Sequence, residues 1–406
     1  MKKVVVAGGG IGGLCSALCF HRFGWDVEVL EQAPALKEVG AGIQISPNGV
    51  KVLRAIGLED TVSANAFVPQ STQIRGGRSG KLIGTVRLGS HIEERHGAPY
   101  WHIHRADLIA ALEQAIELRQ PGAIRTNASV TRYEQTDDAV RAVLAEGDVV
   151  QGDLLVGADG IRSIIRQQML GPSKPRFTGN VAWRAVVPVD RLGQFTPPPT
   201  ASVWVGEGRH AVTYLLRRGT LANIVGVVER SDWKAEGWME QGTKQAALND
   251  FAGWHPIVRT ILEQADAHYC WALFDREPLN RWGDGRVVLL GDACHPMLPF
   301  MAQGAVMAME DAFVLARELS SASATSGGIA QYYRARRNRT ARVQRTARDN
   351  AGIFHRRSSL GKLAAYAPLW LASKALPTAL DQRYDWIYGH DVTAGSDATA
   401  PEESLI

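Results

Sequence analysis

Near its start the chain reads Val4-Val5-Val6-Ala7-Gly8-Gly9-Gly10-Ile11-Gly12-Gly13-Leu14. The β-branched run suits a buried strand, the glycines a tight turn, and Leu14, Ala17 and Leu18 recur at helical spacing up to Gly24. In Gly8-x-Gly10-x-x-Gly13 the first glycine permits the turn, the second lets a pyrophosphate approach the backbone, and the third lets helix and strand pack closely. An anion there would rest on a helix N-terminus, where free N–H groups and the macrodipole favour negative charge. Val27, Val29 and Leu30 form a second strand ending at Glu31, 18 residues past Gly13, where a dinucleotide-binding unit carries its ribose acid. The competing reading of Glu31 is a strand-end surface acid. This unit predicts a Rossmann-like α/β domain and, taken alone, leaves NAD and FAD open.

The remaining composition narrows the class. At ~100 to 200 residues per domain, 406 residues imply two or three domains, and 45% hydrophobic with 21% charged residues is a globular composition. Lys plus Arg number 45 against 41 Asp plus Glu, and a net charge of +4 over this length is too dilute for a nucleic-acid binder. The basic stretch Arg334 to Arg348 reads as a solvated helix face. Cys15, Cys19, Cys270 and Cys294 show neither zinc-type pairs nor a disulfide framework, so no metal site is expected and a reducing compartment is. No apolar run approaches the ~18 residues of a membrane span, and the chain enters a strand pattern without room for a signal peptide, which predicts a cytoplasmic protein.

Further along, Ala128 to Val150 alternates with period two, and Leu154-Leu155-Val156 runs into Gly157-Ala158-Asp159-Gly160, a buried strand meeting a turn with a helix at Ile161. From Thr178 to Trp271 the pattern is mostly strand, which predicts a separate antiparallel sheet. Val287 to Leu290 resumes the buried-strand character, ends at Gly291-Asp292, and precedes a helix from Gly304. The first domain is therefore interrupted: residues 1–72, 98–177 and 276–350 are assigned to it, and 73–97 and 178–275 to the antiparallel substrate domain. Ser321 to Gly328 reads as a loop. Residues 351–406 are assigned to C-terminal helices, broken at Pro368 and Pro377, and to a polar tail expected to be disordered past Gly395.

The opening fingerprint, Gly157-Ala158-Asp159-Gly160-Ile161-Arg162-Ser163, and Gly291-Asp292 with Pro299 and Gln303-Gly304 together resemble the single-component FAD-dependent aromatic hydroxylases. This is the family of para-hydroxybenzoate and salicylate hydroxylases, and the resemblance covers residues 1 to about 350. It implies a glutathione-reductase-type FAD domain in which Gly8, Gly10, Gly12, Gly13, Glu31, Gln32, Gly42, Val130 and Ala305 surround the cofactor. It further implies that Asp292 bonds the ribityl chain and that Arg105 reaches the cofactor from its own helix. The helix from Gly304 would aim its positive end at the flavin pyrimidine edge, favouring the anionic reduced flavin. Asp159 would serve both FAD and a transiently bound NADH or NADPH; as a plain Asp-Gly turn it would be structural.

The same resemblance implies a reaction in which NAD(P)H reduces FAD, O₂ is trapped as a C4a-hydroperoxyflavin, and an electron-rich ring is hydroxylated. Read as a strand, Arg209 to Tyr214 puts His210, Val212 and Tyr214 on one face. His210 and Tyr214 resemble the histidine-x-x-x-tyrosine pair of the 6-hydroxynicotinate and 3-hydroxybenzoate hydroxylase branch, implying a phenol-orienting or base role and a substrate hydrogen bond. A core histidine beside a buried tyrosine is the competing reading. Gly40-Ala41-Gly42-Ile43-Gln44 looks like the loop beside the flavin; Gln44 stands where the 6-hydroxynicotinate enzymes carry histidine and cannot serve as a base near neutral pH, which leaves it an orienting group or a purely structural polar residue. Pro299, Phe300 and Met301 would line the pocket; the 6-hydroxynicotinate pattern has histidine at Phe300 and the 3-hydroxybenzoate pattern glutamine at Pro299, so neither substrate carries over, and ordinary core packing is the competing reading of Phe300 and Met301. Trp183 and Trp204 are candidates for stacking on the ring, and Arg184 or Arg217-Arg218 for pairing with a carboxylate.

These readings converge on a flavin monooxygenase acting on a phenolic or hydroxy-heteroaromatic acid, salicylate-like, with or without loss of the carboxylate. Its partners are the acid, O₂ and NAD(P)H, and it is a monomer or homodimer without nucleic acid. Two alternatives stand beside it: a flavin monooxygenase or epoxidase for a larger non-acidic metabolite, motivated by Phe300 and Met301, and a flavin-bound interaction protein without turnover.

Overall fold

In the computed structural model residues 1–36, 42–230 and 239–395 are described, so Gly40, Ala41 and the tail past Gly395 lie outside the described residues. The architecture is mixed α/β. A six-stranded sheet has the order Gly283–Asp284, Val287–Leu289, Leu154–Gly157, Lys3–Ala7, Asp26–Leu30, Ile124–Arg125. Its four central strands are parallel and buried on both faces, which is why Val4-Val5-Val6 and Leu154-Leu155-Val156 read as unbroken apolar runs and not as alternations. Helices Ile11–Arg22 and Gly304–Ser321 pack together beside it, so the two glycine-rich stretches, far apart in sequence, meet at the C-terminal edge of one sheet, with strand Leu154–Gly157 between the strands that lead into them.

An eight-stranded, mostly antiparallel sheet forms the second body. Its order is Met239–Gln241, Tyr269–Asp275, Arg176–Pro188, Leu221–Glu229, Arg209–Leu216, Ala201–Gly206, Ser71–Gly76, Leu82–Arg87. The pairing of Ala201–Gly206 with Ser71–Gly76 is parallel and brings the early hairpin onto this sheet. One face packs on helices Lys244–Asp250 and Pro256–Gln264 through Phe251, Trp254 and Ile261; the other faces the six-stranded body. Leu154–Gly157 leads into a turn and a helix at Ile164–Leu170, three residues later than the pattern suggested, with the Ser163 hydroxyl accepting from the Arg166 N–H at the N-cap.

Three expectations for the C-terminal third are corrected. The Ser321 to Gly328 loop shrinks to Ala322–Ala324, because helix Thr325–Phe354 already includes Gly327 and Gly328, the latter packed on Leu319. Pro368 does not break helix Ser359–Ala375 but sits inside it, whereas Pro377 opens the next helix at its first turn. The Arg334 to Arg348 stretch is a solvated face only in part: Arg334, Arg337, Arg342 and Arg345 are exposed, but others turn inward. Arg336 is buried and donates to both Glu310 and Asp311 on helix Gly304–Ser321, and Arg339 donates to Glu310. Among the described residues no helix is long and apolar enough to cross a membrane, and all four cysteines are buried.

Candidate active site

A cavity of about 440 Å³ runs between the two bodies, from the Gly10–Gly12 turn to the inner face of the large sheet. At its first end the backbone is forced into shape by contact. Gly8 has φ +110°, and a Cβ there would stand 2.5 Å from the Ala158 carbonyl oxygen; at Gly13 it would stand 1.9 Å from the Gly8 oxygen. At Gly10, in contrast, a Cβ would meet nothing within 4 Å. Two glycines are therefore required by the fold, and the third leaves open a space that the fold itself does not fill. Beside it, Glu31 accepts from the N–H groups of Gly9 (2.7 Å) and Ala33 (2.8 Å), while Gln32 is exposed and Val130 is packed against the core at the start of strand Val130–Gln135.

Arg105, at the start of helix Arg105–Arg119, lines the cavity together with Gly42, Asp292, Gly304 and Ala305. Asp292 lines the cavity and is exposed there, yet the protein packed around its carboxyl raises it above the ordinary range, against the pull of His295 and Arg105. A Cβ on Gly304 would find only Met297, at 3.8 Å, so the N-terminus of helix Gly304–Ser321 lies open. Ahead of it Ala302, also on the cavity, is held at φ +52°, a left-handed conformation for a residue with a side chain. An unfilled glycine seat, a helix N-terminus and a carboxylate on one cavity fit a flavin dinucleotide.

Asp159 sits apart. Its Oδ2 accepts from the N–H groups of Ile164 (2.8 Å) and Ile165 (3.2 Å), capping the helix, and only its neighbours Ala158 and Gly160 line the cavity. Arg166 is buried and donates to the carbonyls of Ile161 and Ala293.

At the other end, period two places His210, Val212 and Tyr214 on the inner face, opposite Val227, Val225 and Asn223. Arg184 joins them, its guanidinium 4.7 Å from the Trp271 ring centre. Arg217 is instead spent at the surface on Asp107. Burial holds the His210 imidazole well below its ordinary range, and burial pushes the Tyr214 hydroxyl up. A Cβ on Gly42 would stand 2.5 Å from the Tyr214 ring, so that glycine is fixed by the tyrosine. Gln44 lines the cavity and accepts from the Tyr100 hydroxyl at 2.7 Å.

Pro299, Phe300 and Met301 form a short 3₁₀ turn over the cavity, pinned by Asn350, which donates to the Phe300 carbonyl (3.2 Å). Trp183 and Trp204 are not in the pocket. Odd and even positions of a strand face opposite ways, and Arg184 and Val203 take the cavity side. Trp183 donates to Asp250 at 2.7 Å, and Trp204 donates to Thr213 at 2.9 Å and stacks on His255, both within the outer core. Tyr100, Asn350, Phe354, Tyr384 and Tyr388 also reach the cavity and had no signal in the sequence, since they come from an isolated strand entry and from C-terminal helices that no motif tied to the pocket.

Residues 1–348 match the family described as FAD binding domain. The chain belongs to this FAD-binding family. It is 35% identical to a 6-hydroxynicotinate 3-monooxygenase of Bordetella bronchiseptica over 97% of its length and 96% of that protein's, and 36% identical to the 3-amino-4-hydroxybenzoate 2-monooxygenase PtnB3 of Streptomyces platensis over 96% of each. Among solved structures, Klebsiella pneumoniae HpxO complexed with FAD and uric acid superposes with a TM-score of 0.84 at 28% identity, covering 94% of this chain and 96% of that one. A salicylate hydroxylase substrate complex does so with a TM-score of 0.80 at 26% identity, covering 99% of both. The FAD-binding family member described here is thus a flavoprotein monooxygenase.

Proposed function

We propose that the chain hydroxylates a phenolic or hydroxy-heteroaromatic acid in the cytoplasm, with NADH or NADPH as electron donor. One observation carries the reading: a single cavity joins the open glycine seat and Asp292 to a sheet face that bears an imidazole, a phenol and a guanidinium. Bound FAD supplies the redox chemistry, taking electrons from the nicotinamide and activating O₂. Gly10, Arg105, Asp292 and the N-terminus of helix Gly304–Ser321 hold it. Arg184 pairs with the substrate carboxylate, a charge-assisted contact that favours an acid over the larger non-acidic metabolite. His210, neutral at pH 7, accepts the phenolic proton, and Tyr214 orients the ring by a hydrogen bond. Phe300 and Met301 keep water from the reacting edge.

NADH or NADPH consumption is measured aerobically with salicylate, 3-hydroxybenzoate, 6-hydroxynicotinate and 3-amino-4-hydroxybenzoate, with products read by mass spectrometry. The expected result is consumption stimulated by at least one acid, with a product gaining one oxygen. Stimulated consumption that yields only hydrogen peroxide for all four overturns the reading.

A further inference from the structure

His210 does not end at the pocket. Its Nδ1 lies 2.7 Å from Nε2 of His355, the residue that closes helix Thr325–Phe354, and His355 Nδ1 lies 3.1 Å from Glu229 Oε1 at the end of strand Leu221–Glu229. Glu229 is about a third exposed and is gripped by Arg357 on its other oxygen. The chain therefore passes from a side chain that is 1% exposed, through one that is 6% exposed, to bulk water. Phe300 and Phe354 stand 4.9 and 5.1 Å from the His210 ring and flank it.

We propose that His210, His355 and Glu229 form a proton relay that carries the substrate's phenolic proton out of the closed pocket to solvent. The inference rests on the phenolic-acid reading above and adds two residues that act through His210. The balance is simple. The phenol O–H gives its proton to His210 Nε2; the Nδ1 proton of His210 moves to His355 Nε2; the Nδ1 proton of His355 moves to Glu229 Oε1 and from there to water. The substrate is left as a phenolate, both imidazoles are neutral with their tautomers exchanged, and no oxidant or reductant is consumed.

The surroundings explain why a relay is needed. Burial, with His355 adding to it, disfavours a charged His210, so this imidazole can take a proton but cannot keep it. Burial and Arg357 likewise disfavour a charged His355, while Glu229 opposes them. Glu229 itself is held below the ordinary carboxylate range by Arg357 and His355 despite its burial, so it stays ionised as the terminal acceptor. His210, Glu229 and Arg357 are the titratable and charged groups that face His355. A histidine serving only the core would have no use for a second histidine placed between it and a surface carboxylate.

The test uses the FAD-loaded protein, 3-hydroxybenzoate as probe, and a pH indicator in weakly buffered solution, followed by stopped flow without any nicotinamide. Proton release on probe binding is expected in the unaltered protein. In His355→Gln, which keeps a hydrogen-bonding side chain but cannot pass a proton, release should slow by about 10- to 100-fold with probe affinity retained. Glu229→Gln should slow it less, because water can replace the terminal acceptor, and added imidazole should restore the rate in His355→Ala. Flavin circular dichroism checks that each variant holds the same site. Unchanged release rates in His355→Gln, or no release from the unaltered protein although the probe binds, overturn the relay and leave the phenolic-acid reading standing. Failure of all four acids named above to bind overturns both.

Discussion

Gly10→Ala separates what the fold needs from what the cofactor needs. Gly10 is the N-cap of helix Ile11–Arg22 at φ −75° and ψ 179°, a conformation open to any residue, and the added methyl meets nothing within 4 Å. Alanine caps a helix less well than glycine, which costs roughly 0.5–1 kcal/mol, and it restricts the unfolded chain, which returns roughly 0.4–1 kcal/mol. The two nearly cancel, so the apoprotein should melt within a few degrees of the unaltered protein. In the loaded protein the same methyl occupies the seat assigned to the diphosphate. Overpacking of this kind costs about 1–3 kcal/mol, equivalent to about 5- to 150-fold in the FAD dissociation constant. Fluorescence titration of apoprotein with FAD reads the affinity, and melting with and without excess FAD reads it again through linkage. Gly13→Ala is the contrast: its methyl would lie 1.9 Å from the Gly8 oxygen, so it should damage the apoprotein itself. An FAD affinity unchanged within about threefold in Gly10→Ala, corresponding to less than ~0.7 kcal/mol, refutes the seat.

Two other outcomes follow from buried groups. Glu310 is held down to about 2, because Arg336 and Arg339 outweigh a burial that would raise it. A depressed carboxylate contributes stability that is fully present above its ordinary value of 4.5 and is lost as pH falls through the folded value. Acid melting curves should therefore drop between those limits by roughly 3 kcal/mol from this group, and Glu310→Gln should be less stable at neutral pH but flatter in that window; an unaltered slope contradicts the assignment. Trp204→Phe, on the outer face, should cost about 1–2 kcal/mol in denaturant melts through the lost bond to Thr213 and lost packing, with KM for the best acid within about twofold. A large KM change would return Trp204 to the pocket.

The cofactor end was legible because its constraints are local. Gly13 is fixed by the Gly8 carbonyl within one strand-turn-helix unit, and Glu31 follows at the end of the next strand, so spacing carries them; Gly8 is held by its own left-handed φ and by Ala158 of the neighbouring strand's turn. The substrate end is assembled across strands. Period two grouped His210 with Tyr214 on one face, yet it could not say which face of the sheet was inward, and the tryptophans went to the wrong side for that reason. Only packing resolves the parity: helices Lys244–Asp250 and Pro256–Gln264 cover the face bearing Trp183 and Trp204.

The basic helix shows a different limit, and it bears on function. Arginine at helical spacing is normally solvated, but Glu310-Asp311 lie inside the otherwise apolar stretch 304–316 of their helix and are both fully buried, which obliges opposite charge to come to them. Arg336 and Arg339 answer that demand, and further along the same helix Arg348 reaches Asp275 and Asn350 holds the turn carrying Phe300. Helix Thr325–Phe354 is thereby pinned to both bodies, and its end delivers His355 to His210. Charges that looked like a soluble surface thus set the position of the pocket's back wall, so a substitution at Arg336 should disturb the His210–His355 distance even though the arginine touches neither residue.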